Sequence, residues 1–167
     1  GVAEGGVYAT DEANARVEAF RRDGDSLVGL GGQPTSGELP CHISATAEWL
    51  YVSNYFSGTV DVFPLGGDGT IGPIHQTLAG SGSGPNPVQD GPHAHSTLVT
   101  ASGVLSADLG TDQVHVHRWS GEKLQRVSSV SFPGGTGPRD FAVAPDGRIH
   151  LSGELSGTHE SAALAAA

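Results

Sequence analysis

Four stretches of this chain follow one template, and that repetition restricts the fold more than any other feature of the sequence. They are GGVYATDEANARVEAF (Gly5 to Phe20), EWLYVSNYFSGTVDVF (Glu48 to Phe63), SGVLSADLGTDQVHVH (Ser102 to His117) and GRIHLSGELSGTHESA (Gly147 to Ala162). Each opens on an apolar run, meets an acidic or amide residue and continues through a short polar link. The polar residues are Asp11, Asn54, Asp108 and Glu154, spaced 43, 54 and 46 residues apart. In the first three stretches a second strand is expected to start at Val17, Val60 and Val114. The spacing is close to the roughly 40–50 residues of a four-stranded propeller blade.

Local pattern agrees with strands. Val60-Asp61-Val62-Phe63 and Val114-His115-Val116 alternate apolar and polar side chains, as a strand with two unlike faces does. Asp23-Gly24, Asp68-Gly69 and Asp146-Gly147 are hairpin signals. The 26 glycines and 10 prolines among 167 residues suit many short strands joined by tight turns. Asp11 to Phe20 contains helix formers, but the repeat assigns it to strands. Three proline-led stretches are read as starts of innermost strands: Pro40-Cys41-His42-Ile43, Pro92-His93-Ala94-His95 and Pro138-Arg139-Asp140-Phe141. The expected fold is all-β, a β-propeller of the seven-bladed type with about three to four blades in this chain. Blade units are placed near residues 3–40, 41–91, 92–137 and 138–158, which together make one partial propeller over 1–158. Residues 64–92 carry the longest insertion, and Gly80 to Pro87 reads as a surface loop, since no helix and no Gly-Lys-Ser/Thr follows to cradle phosphate. Residues 159–167 form an alanine-rich tail that breaks the template where another strand is due.

Composition narrows the partners. A net charge of −10 argues against nucleic acid or an anionic membrane surface, and no apolar run is long enough to span a bilayer. Cys41 is the only cysteine, so no intrachain disulfide can form. A reducing compartment, the cytoplasm, is the natural setting, although a lone cysteine is also compatible with secretion.

Five short motifs then occur in a recognisable order: Val52-Ser53-Asn54-Tyr55 with Ser57-Gly58-Thr59-Val60, Gly91-Pro92-His93-Ala94-His95, Ala107-Asp108-Leu109-Gly110, Gly137-Pro138-Arg139, and Gly153-Glu154-Leu155. Together they resemble the lactonase family of seven-bladed propellers, which includes bacterial 6-phosphogluconolactonases and fungal carboxymuconate cyclases. The resemblance spans roughly residues 3–158. It implies a polar cleft at one end of the central channel, with His93, Arg139 and Glu154 as the catalytic trio and no cofactor. The substrate it implies is a small anionic lactone, a sugar phosphate or a carboxylate. His42, His95, Asn54 and Asp108 are the expected substrate-binding residues. Two positions depart from the family pattern: Val88 stands where an arginine usually precedes Gln89, and Asp140 where a histidine often follows the arginine.

The trio makes chemical sense. Opening a lactone needs a base to activate water, here Glu154 or His93, and a cation to hold anionic substrate and developing oxyanion, here Arg139. Each residue also has a plainer role: Arg139 as a rim ion pair, His93 as a backbone cap, and Glu154 as one more occupant of the repeated polar slot. His93 and His95 are spaced to share a metal, but no third ligand is evident, and no metal is expected. His115 and His117 are expected to face solvent, Cys41 to be buried packing, and Lys123 and Arg126 to lie in an exposed turn. His42 is related to His95 by its place at the start of a blade. The leading function is lactone hydrolysis; a muconate-type cyclase and a non-catalytic binding propeller are the alternatives. Open strand edges at the ends of a partial ring invite self-association, with a longer natural chain the preferred explanation of the missing blades.

Overall fold

A computed structural model describes residues 6–163. Among them fourteen strands and no helix build four antiparallel sheets, each a meander of neighbours in sequence. The first sheet contains β1 (Gly6–Asp11), β2 (Arg16–Asp23) and β3 (Ser26–Pro34). The second contains β4 (Pro40–Ala45), β5 (Trp49–Asn54), β6 (Thr59–Pro64) and β7 (Gln76–Ala79). The third contains β8 (Ala94–Thr100), β9 (Gly103–Asp108), β10 (Gln113–Ser120) and β11 (Lys123–Ser131), and the fourth β12 (Pro138–Val143), β13 (Arg148–Gly153) and β14 (Thr158–Ala163).

The sheets pack face to face in chain order, as propeller blades do. Tyr8, Val17, Leu50, Val52 and Phe63 fill the space between the first and second sheets. Tyr51, Val60, Val62, Val104 and Leu124 fill that between the second and third, and Ala107, Val114, Phe141 and Leu151 that between the third and fourth. Strands β4, β8 and β12 lie side by side across sheets, so they form the inner wall. Gln76 stitches two blades by pairing its amide with both the N–H and the carbonyl of Leu124.

Each sheet makes the same turn once, between β1 and β2, β5 and β6, β9 and β10, and β13 and β14. The turns are residues 12–15, 55–58, 109–112 and 154–157, and each ends on a left-handed residue: Ala15, Gly58, Asp112 and Gly157. Pairing fixes the repeat more finely than the sequence template. Asp11 faces Arg16, Asn54 faces Thr59 and Asp108 faces Gln113, but in the fourth sheet Gly153 faces Thr158. Glu154 therefore stands one residue past the polar slot, level with Tyr55 and Leu109, and projects from the turn instead of into the sheet.

Three other expectations are corrected. The strand thought missing after Thr158 is β14, which pairs with β13 along six residues. Cross-strand pairing outweighs the weak strand preference of alanine there; residues 164–167 of the tail lie outside those described. His115 and His117 are buried, at 4% and 2% exposure. The alternation in β10 was real, but a propeller blade has a neighbour on each face, so the polar face is covered by the second sheet. The 64–92 insertion contains the strand β7 before its surface loop begins.

Candidate active site

The inner strands share a β-bulge at their first turn. Pairing slips between Pro40 and His42, between Ala94 and Ser96, and between Pro138 and Phe141. Cys41, His95 and Arg139 are thus equivalent: each is the extra residue in its blade. A bulge re-aims a side chain out of the ladder, and here three adjacent blades each present one at the same end of the inner wall. This pairing relates His95 to Cys41, not to His42.

Arg139 meets Glu154 there, Nη1 to Oε2 at 3.0 Å, with both side chains about half exposed. Their backbones are tied as well. Glu154 N–H donates to Gly137 O at 2.9 Å, and the Arg139 carbonyl accepts from the buried Ser96 hydroxyl at 2.6 Å. Gly137 has a left-handed φ of 63°, and a Cβ on it would come within 2.7 Å of Leu155. Asp112 locks this corner from the neighbouring blade. Its carboxylate accepts from Gly137 N–H at 2.8 Å, Gly135 N–H at 2.7 Å and the Gln89 amide at 2.8 Å.

His93 is joined to this corner through Tyr55. Tyr55, the turn residue level with Glu154, stacks on the His93 ring at 4.8 Å and meets His95 edge-on at 5.7 Å. His93 Nδ1 lies 3.1 Å from the Tyr55 carbonyl and Nε2 lies 3.1 Å from the Asp90 carboxylate. Both partners can only accept, so both bonds form together when both ring nitrogens carry protons. Asp108 fixes the backbone beneath: its Oδ1 accepts the N–H groups of His93 (2.8 Å), Gly110 (3.1 Å) and Thr111 (3.2 Å).

The electrostatics follow from this packing. Burial, then the nearby Arg139 charge, lowers the His95 pKa. Burial raises the Tyr55 phenol, with Glu154 adding to the effect. Burial pushes the Cys41 thiol up to about 12, so it is a poor nucleophile; its S–H points at the His95 carbonyl, 3.3 Å away. Burial alone would raise the Asp108 carboxyl, but the His115 ring 3.6 Å away, the His93 N–H that it accepts and neighbouring Thr111 together hold it below its ordinary value.

The sequence-predicted residues therefore divide. Arg139, Glu154, His93 and His95 gather at one end of the inner wall. His42, whose pKa burial lowers, turns its Nδ1 to accept from Thr97 N–H at 3.3 Å. Asn54 and Asp108, 0% and 2% exposed, point into the fold, with Asn54 donating to Asp61 at 2.9 Å. Val88 is exposed, while Gln89 is buried and bonded to the Leu109 carbonyl and Asp112. Tyr55, Asp90 and Asp112 were not foreseen. Asp90 carried one signal, an acid three residues before His93.

The family model described as "Lactonase, 7-bladed beta-propeller" matches residues 3–166. A 6-phosphogluconolactonase of Bacillus subtilis is 33% identical over 147 residues, 83% of this chain and 42% of that protein. Among solved structures, a Bacteroides fragilis protein provisionally named a 6-phosphogluconolactonase superposes with a TM-score of 0.89 at 29% identity, covering 96% of this chain and 51% of that one. A periplasmic gluconolactonase of Pseudomonas aeruginosa gives 0.83 at 26% identity, over 91% of this chain and 46% of that one. The chain spans about half the length of the curated relatives it matches, 46% and 42% for two of them. Among the described residues no helix is long and apolar enough to cross a membrane.

Proposed function

Because this chain belongs to the lactonase family of seven-bladed β-propellers, we propose that the protein opens a sugar-phosphate lactone of the 6-phosphogluconolactone kind by base-assisted attack of water. The observation that carries this reading is the Arg139–Glu154 pair, 3.0 Å apart and open to solvent beside His93 and His95. Glu154 takes a proton from water as its oxygen attacks the lactone carbonyl carbon. Arg139 has five N–H donors, so it can hold Glu154 and still grip the substrate's anionic group or the oxyanion of the tetrahedral intermediate. The ring C–O bond then breaks, and the alkoxide leaves with a proton. His93, both of whose nitrogens face acceptors, suits that donor role better than the role of base. His95, kept uncharged by burial and Arg139, offers a neutral ring to sugar hydroxyls. Asp108 contributes through the backbone it holds, Asn54 through its bonds to the Thr59 and Asp61 side chains, and His42 through the placement of β8.

The lone Cys41 fits a cytoplasmic setting. Among the described residues the outer edge of β14 has no partner strand, which fits either an outer strand supplied by a longer chain or pairing with a second copy. We favour the longer chain, because the relatives are about twice this length.

Hydrolysis of 6-phosphogluconolactone by the complete protein tests the assignment. Arg139→Ala and Glu154→Ala should each lower kcat/KM by about 100-fold or more. An unchanged rate in both variants overturns it.

A further inference from the structure

At the other ends of the strands, away from Arg139 and Glu154, the second and third blades part to leave a groove of about 640 Å³. Its walls come from the β4–β5, β8–β9 and β10–β11 turns and from His75 just before β7. Sites for small organic ligands span roughly 300–1,000 Å³, so the volume is that of a binding site and not of a packing defect.

The lining is aromatic and acidic. The indoles of Trp49 and Trp119 lie 4.6 Å apart at 34°, and the His75 ring sits 4.9 Å from Trp49. Two hydrogen bonds hold this set. Trp119 Nε1 donates to the Tyr51 hydroxyl at 3.4 Å, and His75 Nε2 donates to the Glu122 carbonyl at 2.7 Å. Glu48 and Glu122 supply carboxylates at the groove, both exposed. Among the described residues neither forms an ion pair, and no Lys or Arg lines the groove. Arg118 and Lys123 flank it in sequence without lining it.

Indole faces attract cations, and nearby carboxylates reinforce that attraction. Both features repel an anion, in a chain whose net charge is already −10. We propose that this groove is a second ligand site, distinct from the candidate active site, which takes a small organic ammonium ion. The ammonium group rests against Trp49 and Trp119, with Glu48 and Glu122 balancing its charge.

The chain contains two tryptophans, and both line this groove, so its intrinsic fluorescence reports on the site directly. The complete protein is titrated with choline chloride at constant ionic strength, with glucose and glucose 6-phosphate as separate arms, and the Trp49→Phe and Trp119→Phe variants assign the emission change to this groove. A saturable emission change with a midpoint of about 10 mM or lower is expected for choline. In the Glu48→Gln/Glu122→Gln variant, which alters only exposed side chains, the midpoint should rise about tenfold. Arg139→Ala should leave it unchanged. Absence of saturation up to about 100 mM choline, the same midpoint in the double variant, or an equal response to glucose would overturn the proposal. The last outcome would mark a neutral-sugar site instead.

Discussion

Asp112 shows how much one side chain does in this molecule. It holds a left-handed φ of 54°, which a non-glycine residue adopts at some cost, and its carboxylate gathers three donors from two segments of chain. One of those donors is the N–H of Gly137, two residues before Arg139. Asp112→Ala leaves the Gly135 and Gly137 N–H groups without a partner and Gln89 with only its bond to Leu109, and should lower stability by about 2–4 kcal/mol, with a larger fall in kcat/KM than in melting temperature alone would suggest. Asp112→Asn keeps an acceptor oxygen and should recover part of both, measured by denaturant unfolding and lactone hydrolysis. Equal activity in all three proteins would remove Asp112 from the positioning of Arg139. Nothing in the sequence marks Asp112, because its partners lie 23 and 25 residues away and the link exists only once two blades are stacked. Arg139 and Glu154 were legible for the opposite reason: each belongs to a short motif whose local backbone nearly determines it.

Among the elements, the turn that recurs once in each sheet and ends on a left-handed residue decides where the candidate side chains point. Gly110, in the β9–β10 turn, packs so closely that a Cβ would collide with the Gly91 carbonyl and approach His93 N to 2.8 Å. Gly110→Ala must displace the 91–93 segment. It should cost about 1–3 kcal/mol and, on the proposed function, lower lactone hydrolysis through His93. Gly29→Ala, where a Cβ meets nothing within 4 Å, is the control, and comparable losses in both would contradict the account. The existence of these turns was readable from the repeat, as were the inner strands behind Pro40 and Pro138. Their register was not. Glu154 looked like the fourth member of the polar slot because it is the only charged residue near that position, whereas backbone pairing assigns the slot to Gly153. The bulges at Cys41, His95 and Arg139 were equally hidden, since an inserted residue leaves the apolar pattern of a short strand almost unchanged.

The whole molecule is a stack of sheets whose polar groups are buried between blades as well as within them. His117 shows the consequence. Burial, then the neighbouring His115, pushes its pKa down to about 4, while its Nε2 pairs with the Ser106 hydroxyl at 3.0 Å. An unfolded histidine titrates near 6.5, so between those values the unfolded chain binds a proton that the folded chain does not. Folding stability is therefore complete above about pH 6.5 and falls as the pH drops toward 4, by roughly 3 kcal/mol if this group acts alone. His117→Gln should flatten the fall in melting temperature between pH 6.5 and 4.5; an unchanged profile would assign the acid sensitivity to other groups. The same stacking explains why this face was misread from sequence: alternation distinguishes two faces of a strand but does not say that both are covered.

Cys41, His95 and Arg139 carry one further implication. They are the same backbone position in three successive blades, a thiol, an imidazole and a guanidinium at the same end of the inner wall. The bulge fixes where each side chain stands and the surroundings decide how much room it has, wide for Arg139 and narrow for Cys41. An opening built this way can be rewritten one blade at a time, because each blade supplies its own position to it.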